Sequence, residues 1–468
     1  MPIRSCYDSA HNKQHKTCVS NELQPIQPES GAGAPRIYAR AEHGISRANI
    51  SENALKVLYR LKDAGFRACL VGGGVRDLLL GREPKDFDVA TDAHPDEVRR
   101  LFRNCRLIGR RFRLAHVFYG PEIIEVATFR APHDSFIDDG DADGVPEALI
   151  EGGRIIRDNV YGTIEQDAWR RDFSVNALYY DIRDFSVVDY TGGMDDLNQG
   201  VLRLIGDPEV RYREDPVRML RAVRFATKLG FRLDAATESC LSRLGDLLLD
   251  VPPARLFDEV IKLFHAGCGL QTFEALRHHD LFGRMFPLTE EALAHEEEGF
   301  PITFVANALR NTDERIQSGK GVNPAFLYAV LLWEPVRHAA RRFMEEGEAE
   351  LPALQHAGSM ILSRQARHIL IPKRFALPMR EIWELQPRFE HRRGARALRL
   401  LTHPRFRAAY DFYCLRARSG EALAEGCEWW TRLQEVDEAE RRRMVEVSDK
   451  KPRSRRRRRS RSKSSGNV

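Results

Sequence analysis

The chain has no apolar run long enough to cross a membrane: its longest, AFLYAVLLW at 325–333, falls far short of the ~20 residues a spanning helix needs. Its opening residues, MPIRSCYDSAHNKQHK, are polar throughout, so no export signal is read there and a soluble, cytoplasmic protein is expected. Cysteine is sparse and scattered. None of the eight lies closer than 12 residues to another, which excludes a CxxC knuckle and suggests plain core residues. Neither a GxGxxG fingerprint nor a GxxxxGK[ST] loop occurs, which removes the two commonest glycine-rich nucleotide motifs. Acid is missing from one place in particular. Residues 450–468, KKPRSRRRRRSRSKSSGNV, carry ten Lys or Arg and no Asp or Glu, so a net charge of +5 leaves about −5 on everything else. That tail has no apolar pattern with which to fold and suits a polyanion or another acidic partner.

Most of the remainder should fold, with 43% hydrophobic and 30% charged residues and room for several domains. Residues 1–45 read as a disordered leader, with LQPIQPESGAGAP its least foldable part. SENALKVLYRLKDAG reads as a helix capped by Ser51 and closed at Gly65. Strand patterns follow in RACLVG, DFDVAT, CRLIG, LAHVFYG, IIEVATF and FSVVDY. Helices are expected at VRDLLLG and at HPDEVRRLFRN, the latter with Pro95 in its first turn. An acidic, Gly-rich loop at 137–153 interrupts this α/β segment, and from Glu214 to about 445 amphipathic helices dominate.

The stretch LVGGGVRDLLLGREPKDFDVAT (70–91) concentrates the chemistry. A glycine turn between a strand and a helix lets backbone N–H groups approach an anion. Residues two apart on a strand share a face, so Asp86 and Asp88 are expected side by side on one strand. Adjacent carboxylates repel unless something positive lies between them, and hard oxygen ligands of this kind suit Mg²⁺. Another strand-borne acid, such as Glu125 in IIEVATF, would complete a two-metal site for in-line phosphoryl or nucleotidyl transfer.

LVGGGVRDLLLG, DFDVAT, RRDFSVNAL and REDPVRMLRAVRF together resemble the class II nucleotidyltransferases of the DNA-polymerase-beta-like superfamily, which comprise CCA-adding enzymes and bacterial poly(A) polymerases. The resemblance spans about 52–235 and continues more loosely through QPRFEHRRGARALRLLTHPRFRAAYDFYCLRA at 386–417. It implies an α+β fold: a polymerase-beta-like head with a mixed β-sheet, then a mostly α-helical neck and body. The divisions drawn are a leader at 1–45, a catalytic head at 46–198, a neck that reads the base at 199–270, an RNA-binding body at 271–447 and an Arg-rich tail at 448–468. It also implies that Gly72 and Gly73, with Arg76 and Asp77, shape the triphosphate site. Asp86 and Asp88 would bind two Mg²⁺ ions, and Glu125 would be the third carboxylate.

AWRRDFSVNAL holds Arg170, Arg171, Asp172 and Asn176 in a segment read as entering a helix. Arginine suits phosphate and a carboxylate suits a ribose hydroxyl; the resemblance assigns these residues to those tasks, with Asp172 on the sugar. REDPVRMLRAVRF supplies Asp215, Arg218, Arg221 and Arg224. With Pro216 in the first turn, Asp215 and Arg218 share a helix face. A carboxylate accepting from an amine beside an arginine donating to a ring nitrogen matches adenine and cytosine and rejects guanine and uracil. That logic does not separate poly(A) from CCA addition.

LIGRRFRLAHV, with Arg110, Arg111, Arg113 and His116, and the helical body favour the poly(A) branch by resemblance. The expected reaction is untemplated addition of AMP from ATP to RNA 3′ ends, releasing pyrophosphate and promoting RNA decay. The alternatives are CCA addition to tRNA and a catalytically silent RNA-binding protein on the same scaffold. Arg392, Arg393, Arg396 and Arg399, interleaved with apolar positions, read as a helix face that can follow an RNA backbone. The tail's partner is RNA, an acidic protein or an anionic membrane surface, and the chain is expected to be monomeric. Two other signals read as structural: His278, His279 and Asp280 as a helix end and turn rather than a phosphohydrolase site, and at least one of Trp429 and Trp430 as core.

Overall fold

The computed structural model describes residues 34–109, 113–131, 149–151, 154–157, 160–294 and 302–446. The Arg-rich tail, residues 1–33 of the expected leader, most of the acidic loop, and Arg110 and Arg111 lie outside the described residues. The head is built on eight strands: β1 (Arg36–Tyr38), β2 (Ala68–Val71), β3 (Asp88–Thr91), β4 (Cys105–Ile108), β5 (Leu114–Tyr119), β6 (Glu122–Thr128) and, after a hairpin of β7 (Leu149–Glu151) and β8 (Arg154–Arg157), β9 (Leu178–Asp181) and β10 (Val187–Asp189). Their order is β1-β10-β9-β2-β3-β6-β5-β4. Neighbours run antiparallel except β3 and β6, which are parallel, so the sheet is mixed as the resemblance implied.

Helix α1 (Glu52–Asp63) starts where its sequence says it should, because the Ser51 hydroxyl accepts from the Ala54 amide at 3.0 Å. Ala54, Val57, Leu58 and Leu61 form a fully buried stripe at helical spacing, and Gly65 turns the chain with a φ of +90°. Burying each large side chain of that stripe contributes about 1.5–3 kcal/mol, which fixes the helix on the sheet. All four residues of β2 are buried, as befits a central strand covered on both faces. Two strands of this sheet, and the β7–β8 hairpin outside it, carry no expectation from sequence. β1 pairs with β10 at the sheet edge, so the head's architecture starts ten residues before residue 46. β9 lies between β10 and β2 and occupies LYYD, directly after the RRDFSVN segment.

Helices α2 (Gly73–Leu79), α3 (Pro95–Leu101), α4 (Ile164–Arg170) and α5 (Gly193–Gln199) complete the head. The neck follows with α6 (Pro208–Glu214), α7 (Val217–Leu229), α8 (Ala235–Leu244), α9 (Pro253–Phe264) and α10 (Gly269–His278). Gly230, at φ +73°, closes α7. From Leu281 to Glu446 every described element is helical. One hydrophobic core extends from Ile45 to Leu415, and a second encloses Phe389, Phe406, Tyr413 and Trp430. Trp430 is fully buried and donates its indole N–H to the Phe389 carbonyl at 2.9 Å, so it is a core residue. Cys414 and Cys427 are joined as a disulfide between two packed helices, with Cα atoms 5.2 Å apart, where sequence spacing suggested only core thiols. No helix among the described residues is long and apolar enough to cross a membrane.

Candidate active site

The middle of the sheet positions the acids. Asp88 opens β3 and is the register partner of Glu125 on the parallel strand β6. Aligned partners on neighbouring strands present their side chains to the same face, so two of the three expected carboxylates stand together. Asp86 is placed differently from the sequence expectation. It is not on the strand but precedes β3 by two residues, and it is exposed. Burial raises the Asp88 carboxyl to about 6, with Glu125 and then Asp86 adding repulsion and Arg171 opposing them. His116, opposite Glu125 on β5, puts Nε2 3.3 Å from its carboxylate.

Above Asp88 lies the glycine turn. Gly72, with φ +73°, caps α2, and a Cβ there would lie 3.6 Å from Asp88 Oδ2 and 3.9 Å from an Arg171 guanidinium nitrogen. Only glycine reaches this conformation without strain while the backbone lies this close to the acid and the cation. Gly73 begins the helix, beside the guanidinium of Arg76.

The expected phosphate-binding arginines differ in what they do here. Arg76 is buried rather than free; it donates to Asp77 at 2.7 and 2.9 Å and to Asn176 Oδ1 at 2.7 Å. Asn176 in turn donates to Asp172 at 3.4 Å, and Asp172 accepts two hydrogen bonds from Arg221, one of 2.8 Å. Asp77, Arg76, Asn176, Asp172 and Arg221 therefore form one continuous network from α2 to α7. Burial alone would raise the Asp172 carboxyl, but Arg221 together with the Phe173 amide and Asn176 outweighs it and holds the carboxyl below the usual range. The segment holding Arg171 and Asp172 leads not into an α-helix but into one turn of 3-10 helix. Helix α4 ends at Arg170, Arg171 and Phe173 are extended, and the 3-10 turn at Ser174–Asn176 feeds β9. Strand pairing of LYYD between β10 and β2 prevails over local helix propensity there.

Arg171 faces the acids. Its Nε donates to the Tyr179 hydroxyl at 2.9 Å and its guanidinium to Asp167 at 3.0 and 3.1 Å, while the same Tyr179 hydroxyl donates to Asp167 at 2.6 Å. Burial disfavours the cation, yet Tyr179 and Asp167 raise its pKa above the ordinary arginine value. Asp167 has a sequence signal, since it lies four residues before Arg171 on one helix face; Tyr179 has none. Arg211 also went unnoticed, and it donates at 2.7 Å to the carbonyls of both Arg170 and Arg171.

On the neck side, Asp215 and Arg218 do not pair with each other. Asp215 Oδ2 accepts from Arg255 at 2.8 Å, and Arg218 donates to Glu214 and to the Arg211 carbonyl, each at 2.7 Å. The guanidinium carbons of Arg76, Arg221 and Arg224 lie 5.5, 5.3 and 4.5 Å from the Phe225 ring centre. Arg224 keeps a buried Nε with no hydrogen-bond partner among the described residues, and burial followed by Arg221 lowers its pKa. Phe225 gathers these cations, a role sequence spacing does not disclose.

Arg392, Arg393, Arg396 and Arg399 lie far along the chain, around the helix Gly394–Leu401. Arg392 pairs with Glu425 at 2.8 Å, Arg399 donates to the Ala395 carbonyl at 3.3 Å, and Arg396 is exposed. A separate cleft of about 650 Å³ in the body is lined by Arg315, Lys320, Phe326, Arg405, Arg407 and Tyr410 among others, none of them marked individually by the sequence. Among the described residues, the group whose possible metal-ligating atoms all lie within 4.8 Å of one another is not the acidic set of the sheet but Glu238, His278 and His279 in the neck.

Three family profiles match the chain: the Poly A polymerase head domain at 68–203, the probable RNA and SrmB-binding site of polymerase A at 230–293, and the polymerase A arginine-rich C-terminus at 346–464. Poly(A) polymerase I of Salmonella typhimurium is 50% identical over 419 residues, covering 89% of each chain. The CCA-adding enzyme of Lactobacillus helveticus is 38% identical over 221 residues, which is 47% of this chain and 52% of that one. The fold is similar to that of the Bacillus stearothermophilus CCA-adding enzyme solved in complex with CTP, with a TM-score of 0.51 at 24% identity over 81% of this chain and 80% of that one.

Proposed function

We propose a reaction for a chain that belongs to the bacterial poly(A) polymerase I family of class II nucleotidyltransferases, close kin of the CCA-adding enzymes: untemplated addition of AMP from ATP to RNA 3′ ends, with release of pyrophosphate. The observation that carries the chemistry is the pairing of Asp88 with Glu125 beneath the Gly72 turn, with Arg171 alongside. Adenylate addition is favoured over CCA addition by the extent of likeness. The poly(A) polymerases of Salmonella typhimurium and Escherichia coli align along 89% and 91% of the chain at 50% and 49% identity, whereas the CCA-adding enzyme aligns along 47%.

The acidic set fits divalent magnesium. Its carboxylates are hard oxygen ligands, and Asp88 sits among like charges that raise its pKa, as in a site built for added positive charge. Asp86 and Asp88 would hold two Mg²⁺ ions, with Glu125 as the third carboxylate; when bound, such ions lower the pKa of an attacking hydroxyl and neutralise phosphate charge. The Gly72 turn brings backbone close enough to cradle the triphosphate, and Arg171 offers a fixed cation whose direction Tyr179 and Asp167 set. Asp172 takes the ribose hydroxyl, which requires one of its present donors, Asn176 at 3.4 Å being the longest, to yield. Asp215 and Arg218 present an acceptor and a donor to the Watson–Crick edge of adenine, steadied by Arg255 and Glu214. RNA is bound by the helical body, where the basic, partly aromatic cleft supports a path for the primer.

Replacing Asp88 by Ala tests the assignment. AMP incorporation into RNA should fall about 1,000-fold, roughly 4 kcal/mol of lost transition-state stabilisation, while the melting temperature does not fall. Near-normal incorporation by this variant would remove the acids from the chemistry.

A further inference from the structure

We propose that Glu238, His278 and His279 form a binding site for a borderline divalent cation of the zinc class, with a further coordination position open to solvent. Helix α8 contributes Glu238 and the end of α10 contributes the histidines. One ligand atom from each lies within 4.8 Å of the other two. His279 Nε2 stands 3.8 Å from Glu238 Oε1, too far for a hydrogen bond. Two ligands that each sit about 2.1 Å from a tetrahedral ion are roughly 3.4 Å apart, so this pair needs to close by only a few tenths of an ångström to share one. The imidazoles of His278 and His279 meet edge to face with centres 4.9 Å apart, so neighbouring residues can both contribute to one site.

The surroundings hold this arrangement. The Ser242 hydroxyl of α8 donates to the His279 carbonyl at 3.3 Å, tying the two helices together next to the cluster. Asp280, in the left-handed region at φ 57°, ends the helix immediately after the histidines. His279 is buried, whereas His278 and Glu238 are exposed, so an ion can enter from one side and keep a water or a partner's ligand on that side.

Two nitrogens and one carboxylate suit zinc, nickel or cobalt and disfavour magnesium, which takes oxygen ligands. This donor set is therefore distinguishable from the acids of the sheet. An ion here would join α8 to α10. Because Thr272 of α10 shares a 3.0 Å hydrogen bond with Thr227 of α7, the same ion would also brace the helix that carries Arg218, Arg221 and Arg224.

The test is calorimetric titration of the metal-stripped full chain with Zn²⁺ in excess Mg²⁺, paired with thermal melts. The wild type should bind one Zn²⁺ at this site and melt at a higher temperature with it. His278→Ala, which removes an exposed ring, and Glu238→Gln should each weaken that binding at least about tenfold and abolish the added thermal stability. Asp88→Asn should retain both effects. No Zn²⁺ binding, equal affinity in His278→Ala, or loss in Asp88→Asn alone would overturn the proposal.

Discussion

At Asp88, burial and the neighbouring carboxylates of Glu125 and Asp86 act in the same direction, and the acid binds its proton more tightly than it would in an unfolded chain. The sign of the consequence follows directly. Raised from 3.8 to about 6, the group costs the fold nothing below pH ~4, and the cost grows as pH rises through 4–6 and is complete above that. In chelator, Asp88→Asn should therefore stabilise the protein at pH 7.5 by an amount of order 2 kcal/mol and leave it unchanged at pH 4. Urea melts at the two pH values check this, and a destabilised variant at pH 7.5 would contradict it. Gly72 makes the complementary point. An alanine there would keep ordinary contact distances to Asp88 and Arg171, so its cost comes from the positive φ and should be about 1–3 kcal/mol. If the turn cradles the triphosphate as proposed, the alanine's methyl group would also crowd the nucleotide and KM for ATP should rise, as steady-state kinetics can determine.

Between elements, the network from Asp77 through Arg76, Asn176 and Asp172 to Arg221 links head to neck. Arg221→Ala would leave Asp172, a mostly buried carboxylate, without its main cation and should cost about 3–5 kcal/mol in urea unfolding. Arg218→Ala should instead relax base choice, narrowing the preference for ATP over GTP by about tenfold to a hundredfold in competition assays. The contrast explains what sequence could and could not disclose. Six strands and three helices of the head, α1 to α3, were legible because alternation, a Ser cap and a Pro at the first turn are local signals, whereas α4 and α5 were not. β9 was not, because LYYD becomes a strand only through pairing with β2 and β10. The acids were legible as a motif, but the alignment of Asp88 with Glu125 is a matter of strand order, and the placement of Asp86 ahead of the strand depends on where pairing begins. The place of Arg76 in this network was not legible because its partner Asn176 lies 100 residues away.

For the molecule as a whole, charge is divided between the middle of the sheet, which gathers acids, a neck and body rich in arginine, and a cationic C-terminal sequence. Deleting residues 450–468 should raise KM for RNA at moderate salt and leave kcat nearly unchanged. If that sequence engages four or five phosphates of a single strand, its removal should flatten the log–log salt dependence of RNA binding by ~3, and an unchanged slope would assign it to another partner. The central claim concerns what the enzyme makes. Purified protein should be given each nucleoside triphosphate separately, once with an arbitrary RNA and once with tRNA lacking its 3′ terminus, and the products sized and sequenced. The account predicts long adenylate tracts on the arbitrary RNA with ATP; addition confined to tRNA and stopping after C, C and A would contradict it.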